Sequence, residues 1–320
     1  MLFRSADALS LVTLADAVEL RRAGITAPIL VYAGSVPDAA LVEAVEKFDV
    51  IPTLHSEESL AAFGRHATQP MKVAVKIDVG QERVGVPYGE AFDFIRRLTA
   101  MPNLRLHIVN SHPGVPTRGR IDETLQWQYE RFVALCERLA QAGIEVPLRI
   151  LASSKVLRMR GTSMMLNAVD PGAALFSPFE PGSEDELCQP FRALKTTLIQ
   201  VRAAHRDEYL EEAPFAVTQG MRIGIVPIGY SDGVHRMHCG EMLVSGKRVP
   251  ILGAPSLEYT RVDLTSVPDA HVGDEVAIVG RQGDARISPE EVVRKQKAGR
   301  VSDIALEVRP TIPRVYVGGA

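Results

Sequence analysis

The chain is short of several features that would narrow its class at once. Its three cysteines, Cys136, Cys188 and Cys239, are odd in number and have no C-x-x-C spacing. That excludes a disulfide framework and predicts free thiols in a reducing cytoplasm. No apolar run approaches the ~20 residues that cross a bilayer. The opening Met1-Leu2-Phe3-Arg4-Ser5 is not a basic segment followed by an apolar one, so no secretory signal and no membrane partner are expected. A net charge of −3 without long runs of one sign gives no handle for nucleic acid. No G-x-G-x-x-G follows a strand, which counts against an open dinucleotide-binding sheet. What is present is ordinary globular composition over 320 residues, 46% hydrophobic and 23% charged, enough for one large domain or two.

Up to about residue 176, strand and helix patterns alternate. Strands are predicted at 28–32, 50–54, 73–78, 104–110, 148–151 and 173–176. Helices are predicted at 14–23, 88–100 and 122–142, with Trp127 and Phe132 in the core of the last. Ser56, with Glu58 close behind, offers a helix N-cap. Such alternation predicts parallel β/α units, and their number and length favour a TIM-type barrel over a doubly wound sheet. Residues 177–190, rich in proline, serine and acid, read as a connector. Beyond them, short strands at 194–202, 222–228, 241–244, 248–252, 259–264 and 275–279 predict an all-β second domain. The expected division is a β/α barrel over 1–188 and a β-rich domain over 189–320.

In a β/α barrel, ligand-facing residues lie at the C-terminal ends of the strands. Here those positions hold Lys76 and Asp78, then Asn110, Ser111 and His112, then Ser153 and Ser154, then Asp170 and Gly172. Ser153 and Ser154 before Lys155 read as an anion cradle or as an ordinary helix N-cap. His112 is a ring-stacking or proton-transfer group, or simply a turn residue before Pro113-Gly114. Lys76 and Arg83 flank Asp78 as a structural ion pair would. His235, His238 and Cys239 lack further ligands at zinc spacing and read as a solvated loop, so no metal is expected. In the second domain, Tyr230 ends a buried strand before the Ser231-Asp232-Gly233 turn, as a core cap or as a functional ring on rigid scaffold.

These residues, taken in order, resemble alanine racemase. The resemblance is carried by Lys76-Ile77-Asp78-Val79-Gly80 with Arg83-Val84-Gly85-Val86, by Asn110-Ser111-His112, and by Gln128-Tyr129-Glu130-Arg131-Phe132. Ala152-Ser153-Ser154, Pro171-Gly172 and Ile225-Val226-Pro227-Ile228-Gly229-Tyr230-Ser231-Asp232-Gly233 continue it, and Gly280-Arg281-Gln282-Gly283-Asp284 and Ile312-Pro313-Arg314 close it. It implies a fold-type III pyridoxal-phosphate enzyme, barrel first and β domain second, that interconverts L- and D-amino acids as a homodimer with shared active sites. Ser153, Ser154 and Gly172 are then expected at the cofactor phosphate and His112 against its ring. Lys76 matches a lysine often carbamylated in the family, and Arg83 matches an arginine beside the cofactor's ring hydroxyl. Tyr230, with Leu257, is expected at the entrance to the partner subunit's site.

Departures from the family's pattern accompany the match. Family members begin with a barrel strand that ends in the Schiff-base lysine, followed closely by a phosphate-binding tyrosine. Both are absent, so the barrel is expected to be incomplete at its N-terminus, with the start at Met1 internal or truncated. The family's acid/base tyrosine falls at Glu211, with Tyr209 two residues before it, and these two are the catalytic candidates. Asp170 stands where the family has the arginine that faces the pyridine nitrogen, a change that strengthens the ring as an electron sink. Pro310 replaces a phosphate-contacting tyrosine, and Ser256-Leu257-Glu258 replaces Cys-Met-Asp. A catalytically inactive cofactor-binding homologue, or another reaction on the same barrel such as decarboxylation or dehydration, is the alternative reading.

Overall fold

The computed structural model describes residues 6–317 except 33, 35, 117, 176–191, 205–216, 219, 235–237 and 297–300. The chain divides into two compact units, Met1–Ala174 and Leu175–Ala320. The predicted connector and the 188/189 junction fall outside the described residues.

In the first unit, β1 (Leu9–Leu11), β2 (Ile29–Val31), β3 (Ile51–Leu54), β4 (Met71–Asp78), β6 (Leu104–Ser111), β7 (Leu148–Ser153) and β8 (Ala168–Asp170) pair side by side in that order, with β5 (Val86–Pro87) on the end of β4. All these pairings are parallel. The connections run through α1 (Leu14–Arg22), α2 (Ala39–Lys47), α3 (Glu57–His66), α4 (Tyr88–Thr99), α5 (Ile121–Gln141) and α6 (Ser154–Arg160). This is the predicted β/α barrel, nearly closed. Among the described residues no pairing joins β1 to β8.

Side chains alternate across each strand, and the two faces serve different cores. Ile29, Val31, Val73, Val75, Ile77, Val109 and Leu151 face outward and pack with Phe63, Phe94 and Phe132 of the helices. Leu30, Ile51, Ala74, Ile108 and Ile150 face inward and form a separate plug, with Tyr32 and Ala168 against it. Two residues further along, the same inner face carries Tyr32, Thr53, Lys76, Asn110 and Asp170. The period of two thus turns an apolar layer into a polar one at the C-terminal end of the barrel.

Three expectations are corrected. The strand at 173–176 is a 3-10 turn over Gly172–Leu175, because the Ala174 N–H bonds to Pro171 O and to the Ser154 hydroxyl instead of to a neighbouring strand. The last position in the sheet is taken by 168–170, too short and mixed to show a strand pattern. β1, likewise three residues long, precedes the first predicted helix. Trp127 is 47% exposed while Phe132 is fully buried. The indole lies over Gly80, where an added Cβ would meet it at 2.6 Å.

The second unit holds β9 (Leu194–Thr197), β10 (Gln200–Ala203), β11 (Arg222–Val226), β12 (Glu241–Val244), β13 (Lys247–Pro250), β14 (Thr260–Asp263), β15 (Glu275–Gln282) and β16 (Ala285–Ile287). One sheet runs β10-β11-β14, and the other runs β13-β12-β15-β16 with β9 on β15. The single strand predicted at 194–202 is therefore two. Leu198 N–H bonds to Asp274 O and Ile199 N–H to Ile225 O, so one run passes from the second sheet to the first. Two short helices, α7 (Pro289–Gln296) and α8 (Val301–Glu307), join this otherwise β domain.

Phe132→Ala removes a ring at the centre of the barrel's outer core and is expected to cost about 3–5 kcal/mol. Trp127→Ala, at a half-exposed position, is expected to cost clearly less. Urea denaturation of the two variants checks the order, and equal losses would contradict the assignment of Phe132 rather than Trp127 to the core.

Candidate active site

The polar layer is built strand by strand. Tyr32 directly follows β2, and its phenol donates to the Asp170 carboxylate at the end of β8. β4 brings Lys76 to the same level, 6% exposed, with its ammonium 5.0 Å from the centre of the Tyr32 ring. Among the described residues that ammonium makes no hydrogen bond or ion pair. Of the four lysines in the first unit, Lys47, Lys72 and Lys155 are exposed and only Lys76 is buried. β6 contributes Asn110, fully buried, with neither its amide nitrogen nor its oxygen partnered by protein. β7 contributes Ser153, also buried with an unpartnered hydroxyl.

Electrostatics follow from this burial. Loss of hydration, reinforced by the Arg83 charge, lowers the Lys76 amine to about 8, against the pull of Asp170 and Asp78. His112, just past β6, is pushed down to about 4 by burial and then by the Lys76 and Arg83 cations. Its ring is neutral at pH 7. Burial and the Asp170 charge raise Tyr32, which keeps its proton and acts as a donor.

Two loops present the remaining groups. Asp78 forms no ion pair with Lys76 or Arg83, contrary to what the flanking charges suggested. Its carboxylate accepts the backbone N–H groups of Gly80, Gln81 and Arg83 at 2.8, 2.7 and 2.7 Å and so folds the loop that carries Arg83. Burial alone would raise the Asp78 carboxyl, but those three N–H groups hold it below its usual range. Gly85 closes the loop at φ +148, where a Cβ would lie 2.8 Å from Asp78 N. From outside, the Arg131 guanidinium sits 4.3 Å from the ring centres of both Tyr88 and Trp127 and reaches Val79 O. After β6, the buried Gln128 amide bonds both the N–H and the C=O of Gly114, bracing the turn beyond His112.

The paired serines divide their work. Ser153 holds the N-cap position of α6 but makes no side-chain cap bond. Ser154 accepts the Ala174 N–H at 2.9 Å and pins the turn that begins at Gly172. The structure thus gathers Lys76, His112, Ser153, Ser154, Asp170 and Gly172 at the strand ends, with Arg83 on the adjoining loop. Tyr32 was absent from the sequence-based set. Its only signal was a tyrosine closing the apolar strand Ile29–Val31. A cleft of about 290 Å³ lined by Pro28, Ile51 and Met71 lies at the opposite, N-terminal ends of the strands, where barrels carry stability rather than chemistry.

In the second unit, Tyr230 is 50% exposed and opens a 3-10 turn, Tyr230–Asp232. Tyr230 N–H bonds to Ser256 O, and Ser231 bonds to Leu257 O through both its N–H and its hydroxyl. The segments of Tyr230 and Leu257 are therefore one tied unit. Gly229 permits it, because a Cβ there would meet Ser256 O and Leu257 O at 2.3 Å. Tyr209 and Glu211 lie outside the described residues. Cys239, Glu241 and Glu291 converge, but the two carboxylates are taken up by Arg248 and Lys295. Among the described residues no helix is long and apolar enough to cross a membrane.

Comparison with known proteins bears on what this mouth is for. Residues 1–178 match the alanine racemase N-terminal domain and residues 192–316 the alanine racemase C-terminal domain. The chain belongs to the alanine racemase family. Curated relatives include alanine racemases of Clostridium tetani, 27% identical over 99% of this chain and 84% of that protein, and of Synechocystis, 30% identical over 98% and 85%. Among solved structures, alanine racemase from Bacillus anthracis with bound L-Ala-P superposes with a TM-score of 0.79 at 27% identity, over 97% of this chain and 81% of that one. The E. faecalis enzyme superposes at 0.80 and 25% identity, over 98% and 84%. The racemase fold was therefore legible in the motifs alone.

Depressing the Lys76 amine from 10.5 to about 8 costs the fold on the order of 3 kcal/mol while that lysine is charged. Between those two pH values the unfolded chain binds more protons than the folded one, so this penalty disappears as pH rises. Lys76→Met is expected to be more stable than the parent at pH 7 by about 1–3 kcal/mol. The gap should close between pH 8 and pH 10.5. Urea midpoints at the two extremes check this, and a gap that does not change with pH would rule out the burial account.

Proposed function

We propose that this protein is a pyridoxal-phosphate-dependent amino-acid racemase of the alanine type. The observation that carries the reading is the buried, unpartnered Ser153 hydroxyl and Asn110 amide in the polar layer that holds Lys76 and Asp170, within a chain of this family. Buried polar atoms without protein partners fit a polar ligand that completes them. The surrounding charges, Lys76 and Arg83, fit an anionic one.

Ser153, Ser154 and Gly172 would hold the phosphate, where serine hydroxyls and exposed backbone can approach it closely. Neutral His112 would lie against the ring without adding a second positive charge beside it. Arg83, fixed by the Asp78-braced loop, would donate to the ring hydroxyl, and Asp170 would accept from the ring nitrogen. Lys76 adds positive charge beside Arg83. Pyridoxal phosphate supplies an electron-withdrawing ring that acidifies the α-proton of an attached amino acid. Tyr209 and Glu211 are the candidates to move that proton, and Tyr230 with Leu257 would screen the entrance of the site across a homodimer. A cytoplasmic location fits the free thiols Cys136 and Cys239.

A second reading, cofactor binding without turnover, is favoured by one observation: Lys76 is the only buried lysine of the barrel unit, and it lies beside Arg83 and Tyr32. One experiment separates the two. Pyridoxal phosphate is titrated into the protein while the fluorescence of Trp127, its single tryptophan, is followed. L-alanine is then added and D-alanine is measured with a D-amino-acid oxidase. Quenching followed by D-alanine formation is the expected result. Quenching without D-alanine selects the second reading, and no quenching rejects both. Arg83→Ala is expected to weaken the cofactor by about tenfold or more, as loss of a charged hydrogen bond should.

A further inference from the structure

Tyr32 touches both charged groups of the polar layer, and no role has been attached to it. The face of its ring lies under the Lys76 ammonium, and its hydroxyl, at the far end of the same ring, donates to Asp170 Oδ2. A buried lysine beside a half-buried aspartate would ordinarily close into an ion pair, because a charge taken out of water is normally paired. They do not close here: no Lys76–Asp170 contact falls within ion-pair distance among the described residues. One rigid side chain occupies the two interactions that would otherwise be made directly.

The consequence falls on Asp170. With Oδ2 held by Tyr32, the carboxylate has a fixed direction, and among the described residues Oδ1 makes no hydrogen bond to protein. Asp170 ends β8 on the inner face of the barrel, level with Asn110, whose amide is also unpartnered. We propose that Tyr32 is a positioning residue that keeps Asp170 out of an ion pair with Lys76 and aims its free oxygen at the N–H of a protonated nitrogen heterocycle bound in the barrel mouth. The inference rests on the pyridoxal-phosphate reading, in which that heterocycle is the cofactor's pyridine ring. It adds the residue that makes a carboxylate usable there and predicts selectivity for a ring that carries a basic nitrogen.

The test compares two ligands on three proteins. Calorimetry gives the dissociation constants of pyridoxal phosphate and of an analogue with carbon in place of the ring nitrogen. The proteins are the unaltered chain, Tyr32→Phe and Asp170→Asn. Tyr32→Phe keeps the ring beneath Lys76 and removes only the hydroxyl, and circular dichroism melting of both variants checks the fold. The unaltered protein is expected to prefer pyridoxal phosphate over the analogue by about tenfold, the range of a hydrogen bond to a charged group. Asp170→Asn should bring that ratio close to one. Tyr32→Phe should lower it at least severalfold while leaving affinity for the analogue nearly unchanged. A merely structural loss would weaken both ligands alike and leave the ratio where it was, and that result overturns the inference. Full selectivity in Tyr32→Phe, or no selectivity in the unaltered chain that binds both ligands, overturns it as well while leaving the cofactor reading intact. No binding of either ligand by the unaltered chain overturns the cofactor reading, and this inference with it.

Discussion

A lysine carried to the inner face of a parallel barrel loses hydration that no neighbour fully restores, and the polar layer is arranged around that cost. The Lys76 ammonium has a ring face beneath it in place of a carboxylate partner. Its charge, with that of Arg83, helps keep His112 neutral. Asp170 is held close enough to offset part of the positive potential and is prevented by Tyr32 from cancelling it. Such a layer is poor structural design and good ligand design, since an anionic, planar group with a basic nitrogen would satisfy what the protein leaves open.

Around this layer, rigidity comes from groups that never face the barrel mouth. Asp78 spends its carboxylate on three backbone N–H groups, so the loop bearing Arg83 is folded locally. Arg131, Tyr88 and Trp127 hold the same loop from outside, and Gln128 does the equivalent for the turn after His112. Placement of a charged side chain to within a fraction of an ångström depends on such supports. In the second unit, Tyr230 and Leu257 are joined through backbone and hydroxyl contacts that only glycine at 229 allows. Any gate they form therefore moves as one piece.

Much of the barrel was legible in the sequence because the alternation of apolar strands and amphipathic helices is a local pattern. The strands ending at Leu54, Asp78 and Ser111 are long enough to show it, and the motifs they carry have the spacing of alanine racemase. The misses share a cause. Leu9–Leu11 and Ala168–Asp170 are three-residue strands whose status comes from their partners, not from their own pattern. The segment 173–176 has strand-like residues, but its N–H groups are claimed by Pro171 and Ser154. Trp127 occupies a helical core position by spacing, yet its ring lies over the bare backbone of Gly80 and stays half exposed.

The sequence by itself determined the family, the order of barrel and β domain, and the residue types at the strand ends, because all of these are written in local pattern and spacing. Only the tertiary structure decided which of those residues work together. The bond between Tyr32 and Asp170 joins positions 138 residues apart across the barrel. The depressed amine of Lys76 arises first from burial inside the assembled barrel unit. Local sequence has no term for either, since both depend on desolvation and on charges that meet only when the sheet curls round.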